Sequence, residues 1–274
     1  MHGCSTIEFC CLGSGSSGNA TLVHVHARSG TRTILIDAGL GPRTCARRLS
    51  DIGLEMPRLD AILLTHLDSD HFKSSWANTI RRDQVDVHCH RGDHREAIES
   101  GVPPAAIRLF DDELELAADI STRCIKLPHD RTGTAGFVLE ADGSRLGFAT
   151  DLGSLNDAFM DTFVDLDILA IESNYDPGML RNSDRPTFIN DRVRSHHGHL
   201  ENQDALDAAR RIATGGRLDH LVLLHLSRQC NCPELIRGLY RDQAPELLEI
   251  LTITTHDQPS PILRVGMMPL FNHA

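Results

Sequence analysis

The run Leu64-Thr65-His66-Leu67-Asp68-Ser69-Asp70-His71 leaves an apolar segment, residues 60–65, that reads as a buried strand, and at once presents two imidazoles and two carboxylates within six residues. Nitrogen and oxygen donors at that density, held by the end of a rigid strand, suit divalent metal ions, and a tight turn divides them between two ions. The alternative is a helix N-cap, but capping takes one Asp or Ser and not four such groups. Three later segments share the form of an apolar strand ending in His or Asp: residues 125–130 with His129, residues 146–151 with Asp151, and residues 221–227 with His225. Each alone reads equally as a polar strand end facing water. Together with residues 66–71 they read as strand ends converging on one site.

Around these segments the chain alternates short apolar runs with amphipathic ones. Strands are expected at residues 7–12, 20–25, 33–37, 60–65, 85–89, 107–110, 122–127, 136–140, 145–149, 167–171 and 220–224. Helices are expected at residues 42–52, 75–82, 152–161, 186–194, 201–213 and 233–240. The first strands follow in hairpin order and the later ones alternate with helices, which points to a two-sheet core with outer helices. No fixed repeat, low-complexity tract or Pro/Ser-rich linker divides the 274 residues, so a single domain, residues 1–274, is expected. Residues 247–274 match nothing beyond a strand-like 250–255, which either completes a sheet or serves an interface.

Composition narrows the function. Subtracting 38 Asp and Glu from 27 Lys and Arg leaves a net charge of −11, which excludes a general basic coat for nucleic acid but not a local site. Sixteen histidines beside one Trp and two Tyr make the chain rich in metal and proton-transfer groups and poor in base-stacking aromatics. No apolar run approaches the ~18 residues of a membrane-spanning helix, and Glu8 breaks the short apolar stretch near the N-terminus, unlike a secretory leader. Eight cysteines without a CxxC pair are expected to be reduced thiols, the Cys10-Cys11 pair and the Cys230-Asn231-Cys232 turn included, in a cytoplasmic protein with no membrane partner.

The order of the strand-end ligands resembles the metallo-β-lactamase fold, whose signature is HxHxDH followed by single His, Asp and His ligands. The likeness is closest to the WalJ (YycJ) exonuclease-like, phosphodiesterase branch. Gly13-Ser14-Gly15-Ser16-Ser17-Gly18-Asn19, Leu35-Ile36-Asp37-Ala38-Gly39, Thr150-Asp151-Leu152-Gly153, Glu172-Ser173-Asn174-Tyr175-Asp176, Gly198-His199-Leu200-Glu201-Asn202 and His225-Leu226-Ser227-Arg228 carry it. It implies an α/β (αββα) sandwich of two mixed β-sheets packed face to face with helices on both outer faces. It also implies a metal-dependent hydrolase in which His66, Asp68 and His129 hold one ion, Asp70, His71 and His225 a second, and Asp151 bridges them.

Two ions about 3.5–4 Å apart can share a hydroxide at neutral pH and balance the charge of in-line attack. The reaction implied is phosphodiester hydrolysis of the 5′-to-3′ exonuclease kind, with a single-stranded DNA end as substrate. His199 and Asp70 are the catalytic candidates, His199 as the general acid that protonates a departing alkoxide. Ser14, Ser17, Asn19, Asn174, Ser227 and Arg228 are the candidates for substrate contact. Two other readings stay open: hydrolysis of a small cyclic or short phosphodiester, and a metal-binding regulatory module without turnover.

Asp68 departs from the signature, standing where HxHxDH has its second His. Three Asp ligands and one hydroxide would cancel the charge of two divalent ions and weigh the site towards Mn²⁺ or Fe²⁺ relative to Zn²⁺. The 13–19 loop offers backbone N–H groups for a phosphate or for support of the metal ligands, and reads equally as a plain Gly/Ser turn; it has no GK[ST] and is not a P-loop. Between residues 181 and 194, Arg181, Arg185, Arg192 and Arg194 outnumber Asp184 and Asp191, either as an approach for a polynucleotide backbone or as a solvated helix face. His196 and His197 read as surface residues beside His199.

Overall fold

β1 (Thr6–Gly13), β2 (Ala20–Ala27) and β3 (Gly30–Ile36) form an antiparallel meander, as short turns between apolar runs require. The structure is a computed structural model that describes residues 5–266. From β3 the chain crosses by α1 (Pro42–Asp51) to β4 (Ala61–Leu63), by α2 (Ala77–Asp83) to β5 (Asp86–His90) and by α3 (His94–Glu99) to β6 (Ile107–Phe110), each strand parallel to the one before. The second half repeats the plan. β7 (Glu113–Ala117), β8 (Ile120–Leu127), β9 (Thr134–Ala141) and β10 (Ser144–Ala149) are antiparallel. Then α4 (Asp157–Thr162) leads to β11 (Ile168–Glu172), α5 (Pro177–Arg181), α6 (Thr187–Val193) and α7 (Asn202–Ala213) lead to β12 (His220–Leu224), and α8 (Pro233–Gln243) leads to β13 (Leu251–Ile253), all parallel. β14 (Leu263–Val265) returns to the free edge of β1. The result is two seven-stranded sheets, ordered β14-β1-β2-β3-β4-β5-β6 and β13-β12-β11-β10-β9-β8-β7.

The period-2 alternation of the strands assigns each apolar residue to a layer. Ile7, Phe9 and Cys11 of β1, with Val222 and Leu224 of β12, enter the core between the sheets. Cys10 and Leu12 face the helices of the first sheet around Trp76 and Leu49, and Leu221 and Leu223 face Phe159, Leu206 and Tyr240 over the second. Strands buried on both faces read as unbroken apolar runs, which is why residues 221–224 stood out.

The expected sandwich is therefore observed, and residues 247–266 complete both sheets through β13 and β14. β7, β14, α3 and α5 were not expected; they are short, with few fully buried positions. The helix expected from residue 152 begins at Asp157, because Asn156 accepts a hydrogen bond from the Phe159 N–H as its cap and Leu152 N–H is drawn to Glu172. Cys10 and Cys11 point to opposite faces of one sheet and do not form a metal-binding pair. Burial pushes the thiols of Cys10 and Cys89 up to about 11 and those of Cys11, Cys45 and Cys124 up to about 12, and all seven described cysteines are free. Cys4 and residues 267–274 lie outside the described residues. Among the described residues no helix is long and apolar enough to cross a membrane.

Candidate metal centre

Strand direction brings the site together. β1, β3 and β4 run one way in the first sheet and β8, β10, β11 and β12 share a direction in the second, so within each sheet these C-terminal ends lie on one edge. The 13–19 loop, Asp37 and residues 65–71 leave the first edge; His129, Asp151, Glu172 and His225 leave the second. Asp37, Asp151 and His225 turn out of their strands with φ of 60°, 55° and 54°, a left-handed conformation uncommon outside glycine that Asp and His adopt more readily than most residues. Gly39 lets the first edge close on the ligand turn: a Cβ there would stand 1.6 Å from the Asp70 carbonyl oxygen.

Two triads result. Donor atoms of His66, Asp68 and His129 lie within 4.8 Å of one another, as do those of Asp70, His71 and His225. Asp151 lies between them, grouped with His66 and His71 on one side and with Glu172, His199 and His225 on the other. One Asp151 oxygen is 2.9 Å from His71 Nε2 and the other 3.0 Å from His225 Nδ1.

All four imidazoles of the triads are anchored through Nδ1. His66 Nδ1 is 3.0 Å from the Thr65 hydroxyl, His71 Nδ1 2.8 Å from Asp37, and His129 Nδ1 2.9 Å from the Gly198 carbonyl. His225 Nδ1 meets Asp151 and, at 3.2 Å, Glu172. In the tautomer that donates Nδ1–H to these acceptors, Nε2 keeps its lone pair, which the Asn19 amide meets at His71 and which has no partner at His225, and the anchor fixes the ring's orientation. His225 Nε2 is buried with no hydrogen-bond partner and lies 3.8 Å from Asp70. An orphaned buried nitrogen of this kind costs about 1–3 kcal/mol, and a cation beside Asp70 removes that cost. The four imidazoles and three carboxylates fit divalent metal ions.

The electrostatics follow from burial and proximity. Burial opposes charge on His71 and His225, but Asp151 with Asp37 or Glu172 outweighs it and holds both imidazoles well above their usual range. Burial likewise opposes charge on Asp151, yet His225 and His71 hold its carboxyl well below the ordinary value. His66 is held well below its usual range by burial and by the neighbouring imidazoles, so it stays neutral and ready to ligate. Asp68 is the exposed member of its triad, 51% exposed against 5% for His66, and burial with Asp70 nearby raises its carboxyl.

Beyond these candidate donors, the structure brings in two carboxylates, Asp37 and Glu172, to which the sequence alone assigns no role. Asp37 accepts from Thr65 N–H and faces His71; Glu172 accepts from Leu152 N–H at 2.5 Å and lies 2.7 Å from His199 Nδ1. Each ends an apolar strand, the same signal that marked His129 and Asp151. Burial disfavours charge on His199, but Glu172 outweighs it and raises the imidazole.

Of the substrate-contact candidates, three lie inside the wall. Ser14 accepts from His225 N–H at 2.8 Å, Asn19 donates to His71 Nε2 at 2.9 Å and to the Asp70 carbonyl, and Asn174 donates to the His225 carbonyl at 2.8 Å. Ser227 is buried and accepts from Cys230 N–H. Ser17 is exposed on its turn, and Arg228 is exposed and paired with Asp257 at 3.0 Å. His196 and His197 are exposed.

This fold and this set of strand-end donors define a β-lactamase-superfamily domain: residues 32–226 match the family described as Beta-lactamase superfamily domain, and the chain belongs to it. It is 27% identical over 234 residues to exodeoxyribonuclease WalJ of Streptococcus pneumoniae serotype 2 (strain D39 / NCTC 7466), covering 83% of this chain and 84% of that protein. It is 27% identical over 234 residues to exodeoxyribonuclease YycJ of Bacillus anthracis, covering 84% and 86%. The metallo-β-lactamase fold protein YhfI from Bacillus subtilis superposes with a TM-score of 0.65 at 15% identity, over 96% of this chain and all of that one, a likeness of fold.

Proposed function

We propose that the chain is a two-metal phosphodiesterase that removes nucleotides from the 5′ end of single-stranded DNA. The observation that carries this is the pair of three-residue donor groups joined by Asp151, with every imidazole anchored at Nδ1. The exodeoxyribonuclease names of the WalJ and YycJ relatives support DNA as the substrate. Ligands come from both sheets, which supports one domain over residues 1–274. Seven free thiols support a cytoplasmic setting.

His66, Asp68 and His129 would hold one ion and Asp70, His71 and His225 the other, with Asp151 shared. Three carboxylates in the set favour Mn²⁺ or Fe²⁺ alongside Zn²⁺. Divalent ions bound there supply Lewis acidity to a phosphoryl oxygen and acidify water. His199 holds a proton: Glu172 anchors its Nδ1, leaving Nε2 to donate to the departing oxygen. Asp37, Ser14, Asn19 and Asn174 hold the ligand-bearing turns in place.

The net charge of −11 and an aromatic content of 4% favour a second reading, a small phosphodiester as substrate. A metal-titrated assay on 5′-labelled single-stranded DNA and on bis(p-nitrophenyl) phosphate separates the two. The nuclease is expected to release labelled mononucleotides in a metal-dependent way. Turnover confined to the small diester would transfer the assignment to the second reading, and no turnover with Mn²⁺, Fe²⁺ or Zn²⁺ would leave a metal-binding regulatory module.

A further inference from the structure

Among the described residues the aromatic side chains are buried, with one exception. Trp76 and Tyr240 are fully enclosed and Tyr175 nearly so, whereas Phe188 on α6 is 70% exposed, the only largely exposed aromatic among the described residues. α6 and the loop before it bridge the two loops that carry His129 and His225. Arg192 pairs with Asp130 at 2.5 Å, next to His129. Arg185 donates to Gln229 at 2.6 Å and to Ser227 at 3.4 Å, just after His225. At the end of α6 the Val193 carbonyl accepts from His199 N–H at 2.9 Å.

Phe188 and Arg192 are four residues apart on α6 and share a face. An open cavity of about 840 Å³, lined by Met179, Asn182, Ser183, Asp184, Arg185 and Gln229, reaches the start of α6 at Pro186, two residues before Phe188, and has room for a nucleotide. Residues 181–194 carry a local charge of +2 in a chain of −11, so a polyanion meets less repulsion there than the chain's average charge would give.

Resting on the nuclease reading above, we infer that Phe188 is the platform on which a nucleobase of the single-stranded substrate stacks, with Arg185 meeting the flanking phosphate in the adjoining cavity. An unpaired strand can present base faces to such a side chain along its length, whereas a duplex keeps its internal bases stacked on one another. The position would hold the strand at the rim while its end reaches the metal centre.

Fluorescence anisotropy tests the assignment with metal-loaded protein and a hydrolysis-resistant phosphorothioate oligodeoxyadenylate, normal or with abasic positions. Phe188→Ala is expected to weaken binding of the normal strand about 5- to 150-fold, as loss of a base-stacking aromatic does. Wild type is expected to lose the same factor on the abasic strand, the variant to lose nothing further there, and Phe188→Trp to retain binding. Equal affinity of wild type and Phe188→Ala for the normal strand would overturn the platform and leave the nuclease reading standing. No binding of the normal strand by wild type would overturn both.

Discussion

Replacing Asp151 with asparagine is expected to lower hydrolysis of single-stranded DNA more than ~100-fold while leaving the fold intact. Changes to groups that merely orient metal ligands already cost about 10–100-fold in affinity or activity, and Asp151 joins both donor groups. Its two oxygens stand 2.9 and 3.0 Å from His71 and His225 in a buried position. Asparagine keeps the shape and tolerates the left-handed backbone at φ 55°, so the loss reports the missing charge. Initial rates at saturating metal, with near-ultraviolet circular dichroism as the fold control, measure it. Activity within a few-fold of wild type would remove Asp151 from the centre of the chemistry.

His199→Gln is expected to separate substrates by their leaving groups. Glutamine can still reach Glu172 but cannot deliver a proton as imidazolium does. General acid catalysis is worth about 10²–10⁴-fold, so the DNA reaction, which expels an alkoxide, should fall by that factor. Bis(p-nitrophenyl) phosphate expels an ion that departs without protonation, and its rate should change little. Equal losses on the two substrates would make His199 a positioning residue. Its place supports the acid: Nδ1 is tied to Glu172 at 2.7 Å, and the ring lies 5.2 Å from His225 and 5.4 Å from His129, centroid to centroid.

The candidate donors are conspicuous in the chain because they sit where apolar strands end. His66, Asp68, Asp70, His71, His129, Asp151 and His225 all follow runs whose burial on one or both faces makes them conspicuous. What was not legible is who faces whom. Glu172 reaches back 20 residues to Leu152 N–H and on to His199 and His225, while Ser14 supports His225 across 211 positions. No local pattern encodes such pairings, because they depend on which strand ends the topology makes neighbours: β10, β11 and β12 side by side for Glu172, and the two sheets face to face for Ser14 and His225. The same holds for Asn19 and Asn174, whose polar side chains suggested substrate contact and whose amides hold the backbone and rings of the ligand turns. The start of α4 was misplaced for a related reason: residues 152–156 serve the site and the cap before any helix begins.

The departure at Asp68 bears on the central claim, since it exchanges an imidazole for a carboxylate at the exposed edge of the first triad. Elemental analysis of protein loaded with Mn²⁺ or Zn²⁺ and freed of excess ion tests that claim most directly. Two ions per chain, falling to one or fewer in His225→Ala, is the result expected from two complete triads. One ion or none in the wild-type protein with either metal would contradict a binuclear centre.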